Sequence, residues 1–246
     1  MKIGSLAVSL LTVSLIGVTA CTRSNSLHKP ASQTSPSAPE AIEPSPVAPP
    51  TGATPGPAGT AAADQTIIPG ERVGPVTATT SRKDLAALYG EAVLNDAPVA
   101  MGEGTTEPGT RVELGTDRRF TIVWLDAERT QPLLAKDFGP AWKIPEGLGV
   151  GVPYARIKAV LGDFQLYGFG WDYQGTLSLE GSRLDQYHGD LLLRVAPADT
   201  AAAKYPEAYG AVVGDTLFPG NDPNLQPLDI SVYEMVVYLN SLEELK

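Results

Sequence analysis

Pro153-Tyr154-Ala155-Arg156-Ile157-Lys158-Ala159-Val160-Leu161-Gly162, led in by Gly147-Leu148-Gly149-Val150-Gly151-Val152, is the stretch from which the fold is read. Proline suits the first turn of a helix, where its fixed φ is already helical and its missing N–H has no intrahelical partner to lose. Ile157, Val160 and Leu161 then share one face, and Gly162 supplies a left-handed stop. An earlier stretch repeats this arrangement. Gly70-Glu71-Arg72-Val73-Gly74-Pro75-Val76 precedes Ser81-Arg82-Lys83-Asp84-Leu85-Ala86-Ala87-Leu88-Tyr89-Gly90, in which Ser81 and Asp84 have capping-box spacing and Leu85, Leu88 and Tyr89 share a face. Each reads as a short strand, a helix of two to three turns, and a glycine.

The segments beyond the two helices also match. After Gly90 come Val99-Ala100-Met101-Gly102-Glu103-Gly104, a loop, Gly109-Thr110-Arg111-Val112-Glu113-Leu114, and Phe120-Thr121-Ile122-Val123-Trp124. After Gly162 come Tyr167-Gly168-Phe169-Gly170-Trp171-Asp172, then Gly175-Thr176-Leu177-Ser178-Leu179, then Asp190-Leu191-Leu192-Leu193-Arg194-Val195. The expected fold is α+β: two tandem helix-plus-antiparallel-strand units, 66–126 and 140–196, forming one domain over 65–246 because neither unit can bury its sheet face alone. Residues 229–239 read as a closing strand. Its Val232, Glu234, Val236 and Tyr238 alternate with Tyr233, Met235, Val237 and Leu239, apolar on nearly both faces, which places it inside a sheet.

The start of the chain has a different character. Lys2 and the 16-residue apolar run Ile3 to Val18 have the charged and hydrophobic regions of a secretory signal peptide, and the run is shorter than the ~20 residues a spanning helix needs. Val18-Thr19-Ala20-Cys21 resembles the lipobox of bacterial lipoproteins. The resemblance implies cleavage before Cys21, the only cysteine of the chain, and attachment of a diacylglycerol to its thiol. It implies a membrane partner reached through the lipid, and a place in the bacterial cell envelope. Thr22, where inner-membrane retention in enteric bacteria uses Asp, leans toward the outer membrane, facing the periplasm. From 21 to 64 the chain is rich in Pro, Ser, Thr and Ala, with nine of the 22 prolines and no aromatic residue, a composition that predicts a disordered linker.

With a single cysteine the domain has no disulfide, so its stability must come from an apolar core. All 17 aromatic residues lie beyond the linker, where 15 Lys and Arg stand against 25 Asp and Glu. That acidity argues against nucleic acid and against electrostatic docking on anionic lipid.

The tandem pattern of strand, short helix with a terminal glycine, and meander resembles the small exported α+β folds of the β-lactamase inhibitory proteins and of the small lipoprotein of the outer-membrane barrel assembly machinery. The chain is also similar to bacterial envelope lipoproteins carrying a Gly-Phe-Gly-Trp-Asp-Tyr stretch like Gly168 to Tyr173, a resemblance that brings no activity with it. The first of these implies protein binding in the envelope, and it transfers no binding residue.

Tyr167-Gly168-Phe169-Gly170-Trp171-Asp172-Tyr173 is the most distinctive local sequence. On a strand, Tyr167, Phe169, Trp171 and Tyr173 would line one face. Two readings are open: rings buried in the core with glycines making room for crossing backbone, or a stacking platform for a sugar or peptide. Catalysis has less support. His188 stands alone in a polar loop, and no nucleophile elbow, metal-binding helix motif or phosphate loop is present, so neither a cofactor nor a metal is expected. Glu103 and Asp172 occupy corresponding places in the two units and could pair as the acid and base of a glycosidase, or bind a hard cation. Asp215, Asp222 and Asp229 read as loop residues. The sequence thus favours a lipid-anchored binding or protein-interaction module for an envelope protein or glycan over its alternative, an envelope glycan hydrolase, and the ligand-binding candidates are Glu103, Tyr167, Phe169, Trp171, Asp172 and Tyr173.

Overall fold

Ser81 opens the first helix through the expected capping box. Its N–H and hydroxyl donate to the Asp84 carboxylate at 3.0 and 2.6 Å, and the Asp84 N–H returns a bond to its hydroxyl oxygen at 3.2 Å. This is seen in a computed structural model that describes residues 63 to 240. The predicted signal peptide, Cys21 and all but the last two residues of the linker lie outside the described residues, as does 241–246.

The strands are β1 (Ile67–Ile68), β2 (Arg72–Val73), β3 (Val76–Thr77), β4 (Leu94–Gly102), β5 (Thr105–Val112), β6 (Phe120–Trp124), β7 (Pro132–Lys136), β8 (Gln165–Tyr167), β9 (Leu177–Ser178), β10 (Leu191–Ala196), β11 (Leu217–Pro219) and β12 (Ser231–Tyr238). The helices are α1 (Arg82–Tyr89), α2 (Tyr154–Leu161), and the short α3 (Ala201–Lys204) and α4 (Pro206–Gly210). The fold is α+β, with antiparallel pairing between neighbouring strands in each sheet. A six-stranded sheet runs in the order β10-β12-β7-β6-β5-β4, so β12 lies in its interior and joins the β4–β7 meander to β10. Two small sheets have the orders β1-β2-β3 and β11-β8-β9.

One face of the large sheet carries the main core. Phe120, Ile122, Trp124, Ala135, Met235, Val237 and Leu193 pack with Leu85 of α1, Ile157 and Leu161 of α2, and Val73 and Val76 of the first small sheet. Trp142 sets its ring edge-on to Phe120 at 4.9 Å between centroids. Truncating a buried aromatic of this kind costs about 3–5 kcal/mol. The chain enters on this side. The Asp64 carboxylate accepts from the Thr66 N–H and from Arg72, and Ile67 donates to the Lys143 carbonyl at 2.9 Å.

A polar chain crosses the same layer. The Trp124 indole donates to the Thr110 hydroxyl at 2.9 Å, Thr110 donates to Asp96, and Arg82 bridges Asp96 and Glu91. It ties the start of α1 to the sheet and pairs the polar atoms of the buried Trp124 and Thr110.

Three local readings differ. Residues 147–152 form turns rather than a strand, because Gly147 and Gly151 both have φ +82, outside the extended region. Residues 105–108 are not a loop: they belong to β5, which continues to a tight turn at Glu103–Gly104. In β12 the alternation breaks at a bulge. Arg194 pairs with Glu234 and Val195 with Val232, so Tyr233 is extruded, and Val232 turns into the core beside Met235.

Candidate functional site

Among the described residues, no helix covers the second face of the large sheet. Val123, Leu133, Leu134 and Val236 form a small apolar cluster there, with Leu192 and Tyr238 packed against it. Beyond Gly109, the last β5 residue paired with β6, the β4–β5 hairpin continues as a two-stranded arm whose Val99 packs on this cluster. The tip of the arm, Ala100 to Glu103, forms one wall of a groove of about 600 Å³.

The groove floor is Leu134 and Lys136 of β7, Leu192 and Arg194 of β10, and Glu234, Val236 and Tyr238 of β12. Arg194 pairs with Glu234 at 3.0 Å. The other wall is Asp172 and Tyr173, on the turn between β8 and β9. An adjoining hollow of about 360 Å³ shares Leu192 and Tyr238 and extends past Tyr167, Thr176, Leu217 and His188.

The turn carrying Asp172 is fixed to the sheet. Gly175 donates to the Gly168 carbonyl at 3.1 Å, Val195 donates to the Gly175 carbonyl at 2.9 Å, and Arg194 donates to the Thr176 hydroxyl at 3.2 Å. A side chain at Gly175 would place its Cβ 1.9 Å from the Val195 carbonyl, and one at Gly168 2.5 Å from the Gly214 carbonyl. Gly168 accommodates crossing backbone, as the core reading of the stretch 167–173 requires, whereas Gly170 of that stretch meets only side-chain atoms, and Gly175 beyond it lies against the Val195 backbone.

The rings, however, do not share one face. The strand stops at Tyr167, and four rings are divided three ways. Phe169 is 1% exposed and stacks on Tyr209, out of reach of any ligand. Tyr167 and Tyr173 stack on each other at 4.7 Å. Trp171, 60% exposed, stands on the turn next to Asp172, and Tyr173 is 53% exposed. Met101, Tyr173 and Leu217, three of the five large apolar side chains exposed among the described residues, line these two hollows, and Trp171 precedes Asp172 of the groove wall in sequence.

Glu103 and Asp172 are therefore brought to one groove from opposite walls, both exposed. His188 borders the adjoining hollow. Asp215 accepts from the Tyr173 N–H at 3.4 Å, and Asp222 caps the turn that comes after it. Among the described residues no group of three His, Cys, Asp or Glu is placed to hold a metal ion, and no helix is long and apolar enough to cross a membrane.

Lys136, Leu192, Arg194, Glu234 and Tyr238 escape a reading of the sequence, because no turn signal or alternation marks β7 and the apolar runs of β10 and β12 point to the core. The usable signal was the alternation itself: Leu192 and Arg194 in β10, and Glu234, Val236 and Tyr238 in β12, fall on the face opposite Leu193, Met235 and Val237.

Comparison with protein-family models, with curated proteins and with solved structures returned no match to this chain.

Proposed function

We propose that this chain is a lipid-anchored protein of the bacterial cell envelope whose folded part is a binding module, with its ligand in the groove on the second face of the large sheet. The observation that carries the binding reading is the groove itself: a sheet face with no helix over it among the described residues, walled by a hairpin arm and a pinned turn, and lined, with the hollow beside it, by three of the five exposed large apolar side chains of the described residues. The chain enters the domain on the opposite face, at Asp64, which leaves the groove clear of the linker's point of attachment.

The anchor rests on Val18-Thr19-Ala20-Cys21, with an outer membrane facing the periplasm as the favoured location. Cys21→Ser should move the protein out of the detergent phase and remove the mass of the lipid. Retention there with unchanged mass would defeat the anchor reading.

We also read 66–126 and 140–196 as two related units. In support, α1 and α2 both pack on the main-core face, each is succeeded by antiparallel strands, and β12 bonds β7 on one side and β10 on the other.

A glycan hydrolase is the second reading, favoured by one observation: Glu103 and Asp172 line the same groove. An acid–base pair spanning a glycosidic bond needs that arrangement. Cleavage of envelope glycan by the purified protein, abolished in both Glu103→Gln and Asp172→Asn, would establish it. Binding without cleavage leaves the module reading.

A further inference from the structure

Resting on the groove as the ligand site, we infer that its ligand is a neutral glycan chain. The floor is the face of a sheet whose backbone N–H and C=O groups are engaged in plane between β10, β12 and β7. A peptide laid over β7 and β12 would find no free strand edge, since both are paired on both sides, and the outer edge of the terminal strand β10 is engaged at Arg194 and Val195 by Thr176 and Gly175; main-chain pairing is what gives extended peptides their affinity in strand addition. Deep apolar pockets for peptide side chains are also missing from the floor, because Leu134 and Val236 are themselves buried in the small cluster.

The polar groups that the groove does offer are of both senses. Lys136 and Arg194 donate, while Glu103, Asp172 and Glu234 accept. A sugar's hydroxyls both donate and accept, so one ring can satisfy a lining of this kind, whereas a polyanion would meet three carboxylates against two cations on a strongly acidic chain. Beside these groups stands the flat ring of Tyr173, two residues after the exposed Trp171. Tyr173 is held by stacking on Tyr167 and remains half exposed, and Trp171 is more exposed still. The C–H face of a pyranose packs against the negative face of such rings, and the two hollows, meeting at Leu192 and Tyr238, provide a path for more than one sugar unit.

Trp171 makes the test direct. Trp124 and Trp142 are buried, so acrylamide-quenchable emission reports on Trp171. The full-length protein in detergent is titrated with neutral hexasaccharides of α- and β-linked glucose, N-acetylglucosamine, galactose and mannose. The expected result is a hexasaccharide that protects Trp171 from quenching, whose calorimetric affinity falls at least about tenfold in Trp171→Ala and in Tyr173→Ala, with buried-tryptophan emission unchanged. Absence of binding by every one of them at about 1 mM overturns the glycan assignment. If random peptides selected on the protein bind instead, and lose binding in Tyr173→Ala, the groove survives as a ligand site and the glycan does not. Failure of both removes the binding reading as well.

Discussion

Pro98 and Pro108 stand directly opposite each other across the β4–β5 ladder. The Glu113 N–H donates to the Val93 carbonyl at 2.8 Å, and alternation from that pair makes Pro98–Pro108 a pair whose nitrogens point outward rather than at each other. One nitrogen faces the open edge of the sheet and the other faces β6. Neither can donate. This explains why pairing of β5 with β6 ends at Gly109 and why the hairpin beyond it is free to run on as an arm over the groove.

Pro98 also protects the edge. β4 is the last strand of the sheet, and edge strands with free N–H groups recruit other edges. Pro98→Thr should restore a donor there and give a concentration-dependent rise in sedimentation coefficient above that of the unsubstituted protein. Identical sedimentation of the two would show that the proline does not guard this edge.

Gly109 and Val99 form the base of the arm. A Cβ built on Gly109 would lie 2.2 Å from Val99 Cγ2 and 3.0 Å from the Ala97 carbonyl oxygen. Gly109→Ala should therefore cost about 1–3 kcal/mol by urea unfolding. Since the worst contact is with one methyl of Val99, adding Val99→Ala should make the double variant more stable than the two single losses sum to. Simple additivity would place the strain elsewhere.

How much of the fold was legible in the sequence depended on range. Ser81, Asp84 and Gly90 define α1 through contacts within a few residues, and Pro153 with Gly162 does the same for α2, so both helices were legible. Ile122, Val123 and Trp124 announced a buried strand by composition alone. The path of Tyr167 to Tyr173 was not legible, because it is set from a distance: Phe169 donates to the Val212 carbonyl at 2.9 Å and Gly175 lies against Val195. Glu103 and Asp172 were singled out from corresponding places after the two helices, yet the cations that share their groove, Lys136 and Arg194, come from strands whose neighbours only the completed sheet defines.

Asp96 links stability to pH. Partial burial pushes its carboxyl up, but hydrogen bonds from Arg82 and Thr110 and the charges of Arg82 and Arg129 outweigh this, and its pKa lies below the ordinary aspartate value. A depressed folded-state pKa contributes stability that is fully present above the unfolded value of about 3.9 and is lost as pH falls through the lower folded value. The urea midpoint should be level from neutral pH down to about 5 and then fall below about 4. Asp96→Asn should lower stability at neutral pH by about 1–2 kcal/mol, the low end of the range for charged hydrogen bonds because the carboxylate is part-exposed, and shrink the acid loss. An unchanged acid limb in that variant would assign the loss to other carboxylates, such as Asp64 and Asp126, whose pKa values are also lowered.

Phe169 and Trp171 are two residues apart and should behave as different kinds of residue. Phe169 is enclosed by the main core and stacks on Tyr209 with an interplanar angle of 10°. Truncating it leaves a cavity that the pinned glycine turns cannot close, so Phe169→Ala should cost about 3–5 kcal/mol. Trp171 projects from the turn, and its backbone carbonyl accepts from the Gln174 N–H whatever side chain it carries. Trp171→Ala should therefore change unfolding free energy by no more than about 0.5 kcal/mol. Paired urea titrations, monitored by circular dichroism so that the lost indole does not distort the signal, compare them directly. Equal losses would mean that Trp171 is a packing residue after all, and an exposed ring kept at no stabilising benefit is what a ligand-facing residue requires.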